Sequence, residues 1–182
     1  MENLRIKLSL LLTYFMFAIL LNSVGVVILQ VINNYDISKS SASILEGFKD
    51  LPIALVSFLV AAYLPRFGYK NALLVGLFIV TFACLVMPQL ANFTMTKVLF
   101  LTVGVAFALV KVSVYATVGL ITADRQAHAS LLNTIEGFFM VGVLSGYWIF
   151  GFFIDPDQPT STDWLNVYYW LALLCSINAL LL

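Results

Sequence analysis

This 182-residue chain has very little charge: nine acidic and nine basic side chains make up 10% of it, and the net charge is zero. It has one histidine and two cysteines. Each shortage excludes something. Cys84 and Cys175 both lie inside long apolar runs, so they read as small apolar fillers rather than a disulfide or a metal pair. Zero net charge without a basic tract excludes nucleic acid as a partner. His128, close to Arg125 in a short polar stretch, reads as a solvated loop residue. No nucleophile–base set and no metal-ligand cluster stands out, so neither an enzyme nor a cofactor is expected. The first apolar run is too long for a secretory h-region and has no A-x-A-like cleavage site, so it is expected to remain as a membrane helix.

Apolar residues fill the space that charge leaves. The chain is 62% hydrophobic, with a mean hydropathy of +1.02. Six stretches approach or exceed the ~20 apolar residues that cross ~30 Å of hydrocarbon. They run over about Leu8–Ile32, Ser41–Leu64, Asn71–Met87, Val98–Thr122, Ala129–Ile154 and Leu165–Leu182. Backbone groups in lipid have no water to bond, and the alternation of a membrane barrel is absent, so each span is expected to be helical. The fold class is an all-α membrane protein.

Connectors are short. Asn33–Asp36 ends the first span, Ser38–Ser41 supplies caps for the second, Pro88 closes the third, and Asn92–Thr96 turns into the fourth. The run Asp155–Thr160 is rich in turn formers. Trp164, Tyr168, Tyr169 and Trp170 form an aromatic cluster expected at the outer interface. An N-terminus inside places Arg5, Lys7, Arg66, Lys70 and Arg125 in the cytoplasm, against Lys39 and Lys97 outside. With no basic residue after the sixth span, the chain reads as half of a longer protein, one six-helix bundle over residues 1–182.

Five ionisable residues lie well inside spans: Glu46, Lys49 and Asp50 in the second, Lys111 in the fourth and Glu136 in the fifth. Each costs roughly 2.5–3.5 kcal/mol at a helix centre on insertion scales. The third and sixth spans carry none, so they are expected to face lipid while the second, fourth and fifth line an interior. Glu46, Lys49 and Asp50 stand at i, i+3 and i+4 on one helix face, which favours a local Glu46–Lys49 pair. Asp50 and Lys111 both lie ~15 Å from a helix end, near the midplane. Lys111 and Glu136, on helices joined by a short loop, are within reach of a direct pair. Asn22, Gln30, Ser113 and Tyr115 add neutral polar groups. The candidate substrate set is Asn22, Asp50, Lys111, Tyr115 and Glu136, and the candidate proton-coupling set is Glu46, Asp50 and Glu136. The bland alternative is that these groups only pair to hold helices together. Pro52 is expected to kink the second span, and Gly104, Gly119, Gly137, Gly142 and Gly146 to allow close helix approach.

The chain also repeats. Glu46-Gly47-Phe48 recurs as Glu136-Gly137-Phe138, ninety residues on. The same shift lays Phe17-Ala18 over Phe107-Ala108, Ser23-Val24 over Ser113-Val114, and Ser40 over Ser130. Two copies, about 8–90 and 98–182, with three spans each are expected to insert in opposite directions.

The loop Ala61-Ala62-Tyr63-Leu64-Pro65-Arg66-Phe67-Gly68-Tyr69-Lys70 resembles the signature Gly-x-x-x-Asp-Arg-x-Gly-Arg-Arg of the major facilitator superfamily. Arg66, Gly68 and Lys70 match; Ala61, Pro65 and Tyr69 replace the first glycine, the aspartate and an arginine. Phe67–Lys70 followed by Leu73–Leu77 is similar to the fucose-permease branch, whose sugar-binding carboxylates fall here on Gly25 and Lys111. The resemblance implies the N-terminal half of a twelve-helix transporter in a bacterial inner membrane. It also implies a cytoplasmic gate of Arg66, Gly68, Lys70, Asp124 and Arg125. The expected activity is secondary active, proton-coupled transport of a small polar or anionic solute. The expected partners are that solute, protons or another coupling ion, the lipid bilayer, and a second six-helix half. Two alternatives stay open. One is an efflux pump for drugs or siderophore-like amphipathic compounds, with a pocket from Phe15, Phe17, Phe107, Phe138 and Phe139. The other is a non-transporting sensor or scaffold.

Overall fold

The computed structural model describes residues 2–182, with side chains from residue 4 onward. Helices dominate, and no strand occurs among the described residues. They are α1 (Glu2–Asn22), α2 (Val24–Tyr35), the single turn α3 (Lys39–Ala42), α4 (Ile44–Phe67), α5 (Tyr69–Val86), α6 (Phe93–Ile121), α7 (Arg125–Phe152) and α8 (Val167–Leu181). A 3₁₀ turn at Asp163–Asn166 leads into α8. Five helices are long and apolar enough to cross a membrane: α1, α5, α6, α7, and α8 with its leading turn. The 24-residue α4 carries Glu46, Lys49, Asp50 and Arg66 and is not among them. The chain is an all-helical protein built to sit in a membrane.

Local chemistry sets the boundaries. Ser38 caps α3 by accepting from the Ser41 amide. Asn92 caps α6 through the Met95 amide at 2.8 Å, which starts that helix five residues before the expected Val98. Asp124 accepts from the Ala127 amide at 2.8 Å and so starts α7 at Arg125 rather than Ala129. The first span is not continuous. Its helix is interrupted at Ser23, with neither proline nor glycine there, where the hydroxyl bonds the Leu20 carbonyl at 2.8 Å. The Leu21 carbonyl beside it takes the Lys49 ammonium at 3.4 Å. Conversely, α4 runs through both Pro52 and Pro65 without a break.

Packing follows a simple scheme. α1 and α6 are central: α1 packs on α7, α8 and α6, while α6 packs on α4, α5 and α1. α5 and α8 pack on each other, and α4 and α7 are edge helices, each held mainly by one neighbour. Without a hydrophobic force between helices in lipid, close fit and polar bonds must hold them. Glycine supplies the fit at three crossings, one being α5 on α6, where a Cβ on Gly76 would lie 2.9 Å from Val110 Cγ2 and 3.2 Å from the Ala106 carbonyl oxygen. A Cβ on Gly142 would lie 2.6 Å from the Phe15 carbonyl oxygen and 2.7 Å from the Ala18 Cβ. A Cβ on Gly104 would collide with the Lys49 carbonyl oxygen on α4, with Pro52 next at 3.3 Å. Gly146 approaches Ile19 of α1 more loosely, whereas Gly137 faces open space and Gly119 meets only the His128 ring.

Polar bonds supply the rest, in places that hydropathy does not flag. Asn178 of α8 is buried and bonds Ser9 and Thr13 of α1: Ser9 Oγ donates to Asn178 Oδ1 at 2.9 Å, and Asn178 Nδ2 donates to Thr13 Oγ1 at 2.7 Å. The aromatic cluster divides. Tyr169 and Trp170 are exposed, but Trp164 and Tyr168 are buried in the core rather than set at an interface. Trp164 Nε1 donates to Asn34 Oδ1 at 2.8 Å, tying the end of α2 to the turn before α8.

Candidate functional site

The ionisable groups collect on the edge helices and on α6, while α5 and α8 carry none within their apolar lengths. A layer of rings divides them. Phe107 of α6 stacks between Phe17 of α1 at 5.7 Å and Phe139 of α7 at 5.9 Å, and Tyr14 leans on Phe107 at 6.0 Å and on Phe139 at 5.8 Å. Phe17 and Phe107, which the ninety-residue shift lays over each other, are in ring contact.

On one side of this layer lie Tyr115 and Glu136. Tyr115 donates its phenolic hydrogen to Glu136 Oε1 at 2.6 Å, bridging α6 and α7. Lys111 stands one turn before Tyr115 on α6 and is exposed. It does not form the expected pair with Glu136; that carboxylate takes the phenol instead. The Tyr14 ring stands edge-on to Tyr115 at 6.4 Å, is 1% exposed, and its hydroxyl has no hydrogen-bond partner.

On the other side lie Lys49, Asp50 and Asn22. Lys49 pairs with Asp50 at 3.4 Å rather than with Glu46; its side chain is 15% exposed against 65% for Asp50. The Lys49 ammonium also reaches the Leu21 carbonyl, which pulls it away from Glu46 and toward the interruption in the first span. Asn22 is exposed and donates to the Ala18 carbonyl of its own helix at 2.9 Å. Glu46 is exposed in the first turn of α4, where a carboxylate favourably meets the helix dipole. Lys49–Asp50 is the one salt bridge among the described residues. Gln30 and Ser113 are buried. The five candidate substrate residues therefore form two groups: Lys111, Tyr115 and Glu136 in one, Asn22 and Asp50 in the other.

The five gate residues do not come together: two pairs line separate cavities and Arg66 lines neither. Gly68 and Lys70 line a cavity of about 380 Å³ with Arg5, Thr117, Leu120 and Leu182. Asp124 and Arg125 line a separate one of about 350 Å³ with Gly119, Thr122 and His128. Arg66 is exposed at the end of α4. No ion pair joins these residues among those described, and the Asp124 carboxylate is engaged as the cap of α7. Gly68 has a backbone reason to be glycine: its φ is +90° at the junction of α4 and α5, and Asn71 closes that junction by donating to the Phe67 carbonyl at 3.0 Å.

A groove of about 680 Å³ along α3 and α4, lined by Ser40, Ser43, Gly47, Phe48 and Leu101 among others, contains none of the charges. Of the rings expected to line a pocket for amphipathic compounds, Phe17 and Phe107 are buried in the core, Phe15 and Phe139 are half-buried and Phe138 is exposed. Cys84 and Cys175 are buried and unpaired. No group of three or more metal-binding side chains occurs among the described residues. Sequence reading missed Tyr14, the Leu21 carbonyl and the Asn178 network. Only Ser9 and Thr13, a polar i, i+4 pair within an apolar run, left a trace of that network. No family model matches the sequence, and no curated protein matches it significantly, so its likeness to the major facilitator superfamily rests on its own residues.

Proposed function

We propose that the chain is one six-helix half of a secondary active transporter of the major facilitator type, with its N-terminus in the cytoplasm of a bacterial cell. It is not an enzyme on this reading. A small polar or charged solute moves by alternating access, coupled to protons through Glu136, Asp50 or Glu46. The observation that carries the reading is where the charges lie. Asp50, Lys111 and Glu136 sit on the edge helices and α6, while the opposite pair, α5 and α8, is apolar. Charge on one side of a membrane bundle requires water or a second bundle over that side.

The packing scheme supports two inverted three-helix units. Exchanging the first span with the fourth, the second with the fifth and the third with the sixth converts the α1–α7 contact into α4–α6. It likewise converts α5–α6 into α1–α8. Two of the three tight glycine crossings fall on the exchanged pair α1–α7 and α4–α6, and the third, Gly76 against Ala106 and Val110, on α5–α6. An outward or inward state then differs in how the second half covers the charged side. Moving one elementary charge through 100 mV releases ~2.3 kcal/mol, which corresponds to about 50-fold accumulation.

Reconstitution in proteoliposomes under an imposed pH gradient tests this. Solute-dependent proton flux is expected, and Lys111→Ala is expected to abolish it. Flux unchanged by Lys111→Ala removes the assigned role of that lysine, and no solute-linked flux at all removes transport.

A further inference from the structure

Two opposite charges face the uncovered side of this bundle and do not meet. Lys111 is exposed, and no ion pair among the described residues takes its ammonium. Glu136 is half-buried, and the group bound to it is a neutral phenol. Tyr115 follows Lys111 by four residues, so both side chains rise from one stripe of α6, about 6 Å apart along the helix. The 2.6 Å bond from Tyr115 brings Glu136 of α7 onto that same stripe. Next to it the Tyr14 hydroxyl is buried and lacks a partner, as do the buried hydroxyls of Tyr35, Ser57, Ser113 and Tyr168. Phe139, three residues after Glu136 on the same face of α7, is half-buried beside Tyr14 and Phe107.

We infer that this face of α6 and α7 binds a small zwitterion of the amino-acid type. Its carboxylate meets Lys111, its ammonium meets Glu136, and its side chain lies on the edge of Phe139. The inference rests on the transport reading only for what happens after binding; the site itself is a statement about solute class. Charge balance selects this class. A sugar answers neither charge, an organic anion leaves Glu136 unanswered, and an amine leaves Lys111 unanswered, while a zwitterion satisfies both within one molecule. Tyr115 acts as a positioning residue that holds the carboxylate, and Tyr14 offers a further donor.

Three probes of one shape separate these cases: L-phenylalanine, 3-phenylpropionate and phenethylamine, titrated calorimetrically into the purified chain in detergent. Phenylalanine is expected to bind saturably, with each single-charge probe weaker by about tenfold or more, the usual loss when a charged hydrogen-bonding partner is missing. Lys111→Gln is expected to make phenylalanine and phenethylamine equal, and Glu136→Gln to make phenylalanine and phenylpropionate equal. A helical circular-dichroism spectrum like the parent's qualifies each variant. The ranking on the unmodified chain needs no variant. If either single-charge probe binds as tightly as phenylalanine, or none of the three binds, the zwitterion site is wrong. Proton-linked flux of a sugar without phenylalanine binding overturns the solute class and leaves transport standing. Phenylalanine binding without any flux does the reverse.

Discussion

Replacing Gly142 by alanine puts one methyl group where α7 crosses α1. The new Cβ would lie 2.6 Å from the Phe15 carbonyl oxygen and 2.7 Å from the Ala18 Cβ. Neither neighbour is the free end of a flexible side chain, so relief requires the two helices to part. Overpacking of this kind costs about 1–3 kcal/mol. The gain in helix propensity from glycine to alanine returns about 1 kcal/mol at most. Net destabilisation of up to about 2 kcal/mol is expected. It falls on the attachment of α7, whose principal neighbour is α1. Gly137→Ala on the same helix is the control: nothing lies within 4 Å of its Cβ, so only the propensity gain remains. Unfolding followed by circular dichroism in detergent with rising dodecyl sulfate reads both. Gly142→Ala should lower the midpoint while Gly137→Ala leaves it level or raises it. Equal midpoints for the two would refute the close crossing.

Other expectations follow from particular contacts. Asn178→Leu removes the bonds to Ser9 and Thr13 and leaves both hydroxyls buried; at about 0.6–1.7 kcal/mol per interhelical bond, a loss of about 1–3 kcal/mol is expected in the same unfolding assay. Tyr115→Phe deletes the donor to Glu136 without changing ring volume. Its unfolding midpoint should move little, while proton-linked uptake falls at least tenfold, the effect of losing about 1.4 kcal/mol. Lys49→Met frees the Leu21 carbonyl and leaves Asp50 without its cation. Hydrogen exchange at Gly25, whose amide is in the helical position to donate to that carbonyl, should then slow relative to the α6 core.

Much of the architecture was visible in the residues. Long apolar runs announce themselves because lipid admits no other solution for the backbone, and Ser38 caps a helix as expected. The caps Asn92 and Asp124, not read as such, start α6 and α7 earlier than the apolar runs do. Other features depend on the approach of distant segments. The interruption at Ser23 has no breaker residue, and it coincides with a lysine from another helix reaching the Leu21 carbonyl. Trp164 and Tyr168 carry the composition of an interfacial belt, yet Trp164 is drawn inward by Asn34, 130 positions earlier. Pairing of the charges escaped for the same reason. Helical spacing offered Glu46 to Lys49 and a short loop offered Lys111 to Glu136. Instead the Leu21 carbonyl draws the Lys49 ammonium away from Glu46 to where its neighbour Asp50 meets it, and the α6–α7 approach gives Glu136 to Tyr115. Spacing says which groups share a face, and crossing geometry decides which of them touch. The gate residues were brought in by resemblance, and two of them already serve local structure: Asp124 as a cap and Gly68 at a positive φ.

The inverted arrangement depends on whether α4, with its four charges, crosses the bilayer. Ser40 and Ser130 are exposed counterparts under the ninety-residue shift, and α4, α5 and α6 lie between them. Each is replaced singly by cysteine in a background without Cys84 and Cys175, then labelled with a membrane-impermeant thiol reagent in right-side-out and inside-out vesicles. Three crossings put Ser40→Cys within reach only from outside and Ser130→Cys only from the cytoplasmic side. Labelling of both from one face would mean two crossings, with α4 outside the bilayer and no inverted repeat.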